Sequence, residues 1–240
     1  MTWRGALSAG MLAVGCRQTP DGTASLAAAT THVASASEWT GARVAPAPSA
    51  AAPAAGPNAS WILHVGDSFV DASFQQNLRS RFRTAGATYV SDGVTSAYTT
   101  TWAEDPRLDR WLSARPALVI VTLGANEVDL SVPEARAKTI EHLSRRIAAS
   151  GASCVWTAPP LWKRDTGIVQ VIHDHCAPCL FFDSDAVLGG LVGGERQGDR
   201  IHPNARGGAR WAEAFWLWLV EHRDLARGPW VLVPFERRGA

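Results

Sequence analysis

Residues 117–123 read Ala-Leu-Val-Ile-Val-Thr-Leu and run straight into Gly124-Ala125-Asn126. The run is apolar, rich in β-branched side chains, too short for a helix and stopped by glycine, so it predicts a strand buried on both faces. The same signal recurs on either side. Trp61–Val65 (WILHV) ends at Gly66, and Ser153–Thr157 (SCVWT) is halted by Pro159-Pro160. Weaker runs stand at Thr88–Val90 and Leu180–Asp183. Between them the spacing turns helical. It does so at Phe69, Ala72, Leu78 and Phe82 (from Ser68 to about Phe82), and at Leu108, Trp111 and Leu112 within Pro106–Ala114. It recurs at Ile140, Leu143 and Ile147 behind Ser131-Val-Pro-Glu134, whose spacing is that of a capping box. Gly167–His175 reads as a further helix and Asn204–Glu221, after Pro203, as a long final one. Buried strands alternating with helices predict a three-layer α/β/α domain with a parallel sheet of about five strands, filling residues 60–240. In such sheets the site lies beyond the C-terminal strand ends.

The rest of the chain reads differently. Residues 1–16 hold one arginine, a short apolar stretch and small residues before Cys16, which is the pattern of an export signal. Leu12-Ala13-Val14-Gly15-Cys16 resembles a bacterial lipobox, which implies lipidation of Cys16 and a membrane anchor, with plain secretion as the alternative. Residues 17–59 contain 15 alanines and five prolines and no period, so they read as an unstructured tether. Twenty-three basic and 22 acidic residues leave a net charge of +1, which argues against a nucleic-acid partner. Two of those basic residues are lysines, so arginine dominates, and no basic run occurs.

Three short motifs carry chemistry. Gly66-Asp67-Ser68 follows the first strand, and a serine on a first helical turn would project its Oγ into the crevice near the positive helix end. Gly124-Ala125-Asn126 follows the central strand and can aim a neutral N–H donor into the same space. Asp199-Arg-Ile-His202 precedes the final helix. Its spacing lets a carboxylate hold one ring nitrogen and leave the other for a nucleophile.

In this order the motifs resemble those of the SGNH (GDSL-type) hydrolases: HVGDSFVDASF the first block, VTLGANEVDL the third, GDRIHPNARGG the fifth. The resemblance implies a flavodoxin-like fold and a serine esterase. Ser68 would be the nucleophile, His202 the base and Asp199 its partner. The Ser68 N–H and the Asn126 side chain would bind the oxyanion, with no metal or organic cofactor. The family also expects a glycine N–H after the second strand. Here Ser91-Asp-Gly93-Val-Thr-Ser96 offers Gly93 or Ser96, and the choice stays open. Glu127 stands where the family has Asp and has no expected role in the chemistry.

Other clusters have plainer readings. His173-Asp-His175-Cys176-Ala-Pro-Cys179 suits a local Cys176–Cys179 disulfide or free thiols better than a metal site, and Cys154 reads as a small buried hydrophobe. Of eleven tryptophans, Trp102 follows the second block and Trp162 follows Pro159-Pro160 at a strand end; both are candidates to line a substrate crevice, with packing the favoured role for each. The expectation is an exported, lipid-tethered esterase. It would remove a small acyl group, acetyl above all, from an envelope or extracellular carbohydrate. Long-acyl lipase, lysophospholipase or thioesterase action, O-acyl transfer and a non-catalytic carbohydrate-binding module are the rivals.

Overall fold

The computed structural model describes residues 60–71 and 73–234. The expected export signal with Cys16, the expected tether and Ala72 lie outside the described residues. Five strands form one parallel sheet: β1 (Trp61–Gly66), β2 (Thr88–Gly93), β3 (Leu118–Thr122), β4 (Ser153–Thr157) and β5 (Leu180–Phe182). Their order is β2-β1-β3-β4-β5, the flavodoxin-like arrangement. Among the described residues seven helices cover it: α1 (Ser73–Thr84), α2 (Thr99–Glu104), α3 (Pro106–Ser113), α4 (Ala137–Ala149), α5 (Ile168–His175), α6 (Ser184–Leu188) and α7 (Ala205–Glu221). None of these is long and apolar enough to cross a membrane.

Strand alternation builds the two cores. Leu63, Val65, Val119, Val121 and Trp156 face α2–α5, where Trp102, Leu108, Ile140 and Ile172 meet them. Ile62, Ile120 and Val155 face α1 and α7, against Phe74, Leu78, Trp211 and Phe215. Each such side chain, once buried, contributes roughly 1.5–3 kcal/mol. The two sequence faces at Ile140/Leu143/Ile147 and Leu108/Trp111/Leu112 are buried as their spacing predicts.

Three local expectations are corrected. The first helix starts at Ser73, not Ser68. Asp67 bends the chain first, taking the Phe69 N–H on Oδ1 (2.9 Å) and the Val70 N–H on its carbonyl (3.0 Å). Ser131 caps nothing: Pro133–Arg136 form a 3₁₀ turn before α4. The preceding backbone is spent on tertiary contacts, with Thr166 donating its N–H to Val128 and its hydroxyl to Leu130 (2.8 and 2.7 Å).

The disulfide joins Cys154 to Cys179, and among the described residues Cys176 is the free thiol. The reason is register. Val155 pairs with Leu180 across β4 and β5, so the residues just before them stand opposite each other, with Cα atoms 4.7 Å apart. Cys176 caps α5, is buried, and burial pushes its thiol up to about 12. Bridging a separation of 25 residues removes about 3.5 kcal/mol of unfolded-chain entropy in the loop-closure picture.

Candidate active site

β1 and β3 are sheet neighbours whose connections leave on opposite faces, α1 covering one core and α4 the other. A crevice therefore opens above their C-terminal ends. Gly66 makes the close approach there. A side-chain carbon on it would lie 1.9 Å from the Thr122 carbonyl oxygen, so no other residue fits without moving β3. The chain then turns at Asp67, and Ser68 points across the crevice. With its helix beginning five residues later, Ser68 owes its exposure to this turn and not to a helix end.

The second component comes from the turn before α7. His202 places Nε2 2.8 Å from Ser68 Oγ, and its Nδ1 lies 2.6 Å from Asp199 Oδ2. Asp199 holds the turn as well as the ring, its Oδ1 accepting the Ile201 and His202 N–H groups (2.8 and 3.0 Å). The His202 hydrogen bond, aided by these two, draws the Asp199 carboxyl down to about 2, so it stays ionised wherever the imidazole can act as a base. The Phe69 ring sits 5.0 Å from the imidazole, between it and Trp211. Asn204, expected as the first residue of the final helix, instead stands just outside α7 and caps it by accepting the Arg206 and Gly207 N–H groups. Gly208 then lets α7 press on α1, since a side-chain carbon there would meet Ser73 Oγ at 1.9 Å.

The third component faces these two. Asn126 sits in a 3₁₀ turn after β3 and donates from Nδ2 to the Ala97 carbonyl (3.0 Å). One amide hydrogen fixes the group and the second stays available. Beside Ala97, Ser96 has φ 60°, a left-handed shape that a glycine adopts more cheaply. Among the described residues the Ser68 and Ser96 N–H groups have no protein acceptor. Gly93 is the last residue of β2, paired with Gly66, and a side-chain carbon on it would lie 2.7 Å from the Asp71 carboxylate. Glu127 ties this arc together. Fully buried, it accepts from the Thr99 N–H and hydroxyl (3.0 and 2.9 Å) and pairs with Arg136 (2.7 Å). Its structural reading holds.

The two tryptophans part ways. Trp102 is fully buried, its indole donating to the Gly66 carbonyl (2.8 Å), so it is core beneath the crevice and not a lining residue. A spare polar group on an aromatic placed after a strand can be satisfied by backbone, and here it was. Trp162 is half-buried past the end of β4, with Lys163 Nζ 4.4 Å from its ring. The histidines after β4 engage carboxylates, His173 with Asp174 and His175 with Glu134 and Glu141.

Sequence reasoning missed two residues. Asp67 was read only as part of a turn motif. Its side chain is fully buried, Oδ2 has no partner among the described residues, and burial pushes the carboxyl up to about 7. Arg196 gave no signal at all, because its partners are backbone carbonyls, two of them 36 and 35 residues away at Pro160 and Leu161.

A hydroxyl, an imidazole, a carboxylate and free N–H donors around one opening can attack a carbonyl carbon and hold the resulting oxyanion. Fold and site thus define an ester-hydrolysing enzyme. The chain belongs to the GDSL-like lipase/acylhydrolase family, which it matches over residues 54–210. TesA is 23% identical, with a TM-score of 0.55 over 67% of this chain and 98% of its own. A carbohydrate esterase family 3 protein from Talaromyces cellulolyticus is 15% identical (TM-score 0.55; 68% and 97% covered). Axe2, an acetylxylan esterase from Geobacillus stearothermophilus, is 19% identical (TM-score 0.50; 66% and 93% covered). No curated protein sequence matches the chain significantly.

Proposed function

We propose that the protein is an exported serine esterase that removes a short acyl group, acetyl foremost, from an envelope or extracellular carbohydrate. The observation that carries the catalytic part is the continuous hydrogen-bond chain from Ser68 Oγ through His202 to Asp199. Ser68 Oγ attacks the ester carbon while His202 Nε2 takes its proton. The oxyanion accepts hydrogen bonds from the Ser68 N–H, the Asn126 amide and the Ser96 N–H. Ser96 is preferred to Gly93 because it adjoins the Ala97 carbonyl that holds Asn126, whereas Gly93 is locked in β2 against Asp71. His202 returns the proton to the departing alcohol, and water repeats the sequence on the acyl-enzyme.

A short acyl group on a sugar is favoured by the acetylxylan and carbohydrate esterases among the structural relatives, and a sugar-facing aromatic by Trp162, which packs against both cores yet stays partly exposed. Export is supported by the N-terminal pattern and by the Cys154–Cys179 bond, since such bonds persist in oxidising compartments. Residues 1–15 would be removed, Cys16 would become the lipid-bearing first residue and 17–59 would be the tether.

The deciding experiment is hydrolysis of p-nitrophenyl acetate and decanoate, and of acetylated xylan, by the chain from Ser60 onward, with Ser68→Ala as control. Preference for acetyl esters with an inactive control supports the reading. Preference for decanoate would make it a long-acyl lipase or thioesterase, and activity in Ser68→Ala would remove Ser68 from the mechanism. Palmitate incorporation by the full chain, abolished by Cys16→Ser, tests the anchor; equal labelling of both forms would refute it.

A further inference from the structure

One side chain joins the His202 turn to a wall of the crevice. Arg196 begins that turn, bridged antiparallel to Pro203. Its guanidinium donates to the carbonyls of Ile201 (2.5 Å), Leu161 (2.5 Å) and Pro160 (3.4 Å). Ile201 directly precedes His202. Pro160 and Leu161 lie past the end of β4, and Pro159 just before them borders Gly124 at the foot of the Asn126 turn. The stretch 159–162 therefore runs from the Asn126 side to the His202 side and closes the crevice beside β4.

Leu161 is gripped from both directions. Its N–H donates to both oxygens of Asp185 (3.2 Å each), a half-buried carboxylate on α6, while its carbonyl accepts from Arg196. Burial lowers the Arg196 pKa and raises that of Asp185, as expected for two charges drawn out of water around one peptide. Only a guanidinium offers several donors in a planar fork. Lysine lacks that fixed geometry, and an apolar side chain donates nothing.

We infer that Arg196 is a positioning residue that fixes the gap between the His202 turn and the Pro160–Trp162 wall, and so restricts the enzyme to short acyl groups. The inference rests on the reading of Ser68 and His202 as the catalytic pair. Releasing the wall lets a longer chain enter, and releasing the turn loosens the base. A shift of about 1 Å in such a group can cost about 10²-fold, while each extra methylene a pocket accepts is worth about 10–200-fold in selectivity.

The test is kcat and KM for p-nitrophenyl acetate and decanoate, with the pH profile of kcat/KM, in Arg196→Met, Arg196→Lys and Asp185→Asn. Expected for Arg196→Met is a fall of about tenfold or more in kcat on acetate, a displaced acid limb of the profile, and a decanoate-to-acetate ratio raised about tenfold or more. Arg196→Lys should fall between it and the parent. Asp185→Asn, which keeps one acceptor oxygen but loses the charge and so weakens only the Leu161 N–H side, should raise the ratio without displacing the pH profile. Should Arg196→Met not fold, the other two variants carry the test. A ratio within about twofold of the parent in all folded variants overturns the inference. If Ser68→Ala is inactive in the same assay, that failure belongs to Arg196 alone and leaves the catalytic reading standing.

Discussion

The two sides of the crevice are built in opposite ways. The acid–base side is a single turn, residues 194–204, that bonds mainly to itself, with Arg196 reaching out to Pro160 and Leu161. Asp199 holds Ile201 and His202, the Gln197 N–H donates to the His202 carbonyl (2.8 Å), and Asn204 donates to the Gly194 and Arg196 carbonyls (3.0 Å each). The oxyanion side is assembled from distant pieces: Asn126 reaches Ala97, and Glu127 reaches Thr99. A self-contained turn can travel as a short motif, whereas an assembled arc tolerates substitution wherever backbone alone does the binding. That is how Ser96 can stand in a glycine's conformation.

The largest expected effect falls on the self-contained side. Asp199→Asn should lower kcat by about 10⁴-fold, because it removes the charge that orients the ring; single-turnover hydrolysis of p-nitrophenyl acetate measures it, and a loss under about tenfold would show that the turn alone suffices. On the assembled side, Asn126→Ala should cost about 10²–10³ in kcat with little change in KM. A loss under about threefold would demote Asn126 to a turn residue and leave the arc without its side-chain donor.

Next in size is a pH effect under the β1 end. His64 is buried between the Tyr89 hydroxyl and Thr122 (2.6 and 2.7 Å), and burial pulls it from 6.5 down to about 3. The unfolded chain thus takes up this proton first. The stability it represents is present above pH 6.5 and drains away as pH falls from 6.5 towards 3. Asp67 acts in the reverse sense. Raised from 3.8 to about 7, it favours the fold below pH 3.8 and loses that contribution as pH rises towards 7. The slopes oppose each other between pH 4 and 6.5. Asp67→Asn should expose the His64 slope, stability rising with pH by up to about 1.4 kcal/mol per unit. Urea unfolding at several pH values tests this, and a profile unchanged from the parent would contradict the opposition.

The smallest effect should be equal on the two sides. Ser96 and Arg200 both have left-handed backbones, φ 60° and 61°. Glycine at either position should raise stability by about 1 kcal/mol, read as a shift in the denaturation midpoint. Ser96→Gly should also keep activity, since the N–H is unchanged. A large loss of kcat would mean that the Ser96 side chain takes part.

Legibility in the sequence followed the same division. Runs such as 117–123 announced buried strands because parallel strands covered on both faces must be apolar throughout, and the strand order placed Ser68 and Asn126 at the reversal point. The Asp199–His202 spacing was readable because three residues span one turn. The crevice role offered for Trp102 and the local Cys176–Cys179 pairing failed for one shared reason: the actual partners, the Gly66 carbonyl for Trp102 and a cysteine one strand away for Cys179, are set by sheet register. Asp67 and Arg196 were silent because burial and carbonyl partners leave no periodic trace. Glu127 was readable as structural, though not as the anchor of Asn126's neighbourhood.

The Cys154–Cys179 crosslink turns everything between β4 and β5 into a covalent ring, and the wall at Pro160–Trp162 is part of its circumference. The entropy of closing such a ring grows only logarithmically with its size, about 0.6 kcal/mol per doubling. Residues can therefore be added to or taken from that circumference without threatening the sheet on which Ser68 stands. Evolution or an engineer can recut the mouth of the enzyme here while the catalytic floor stays fixed.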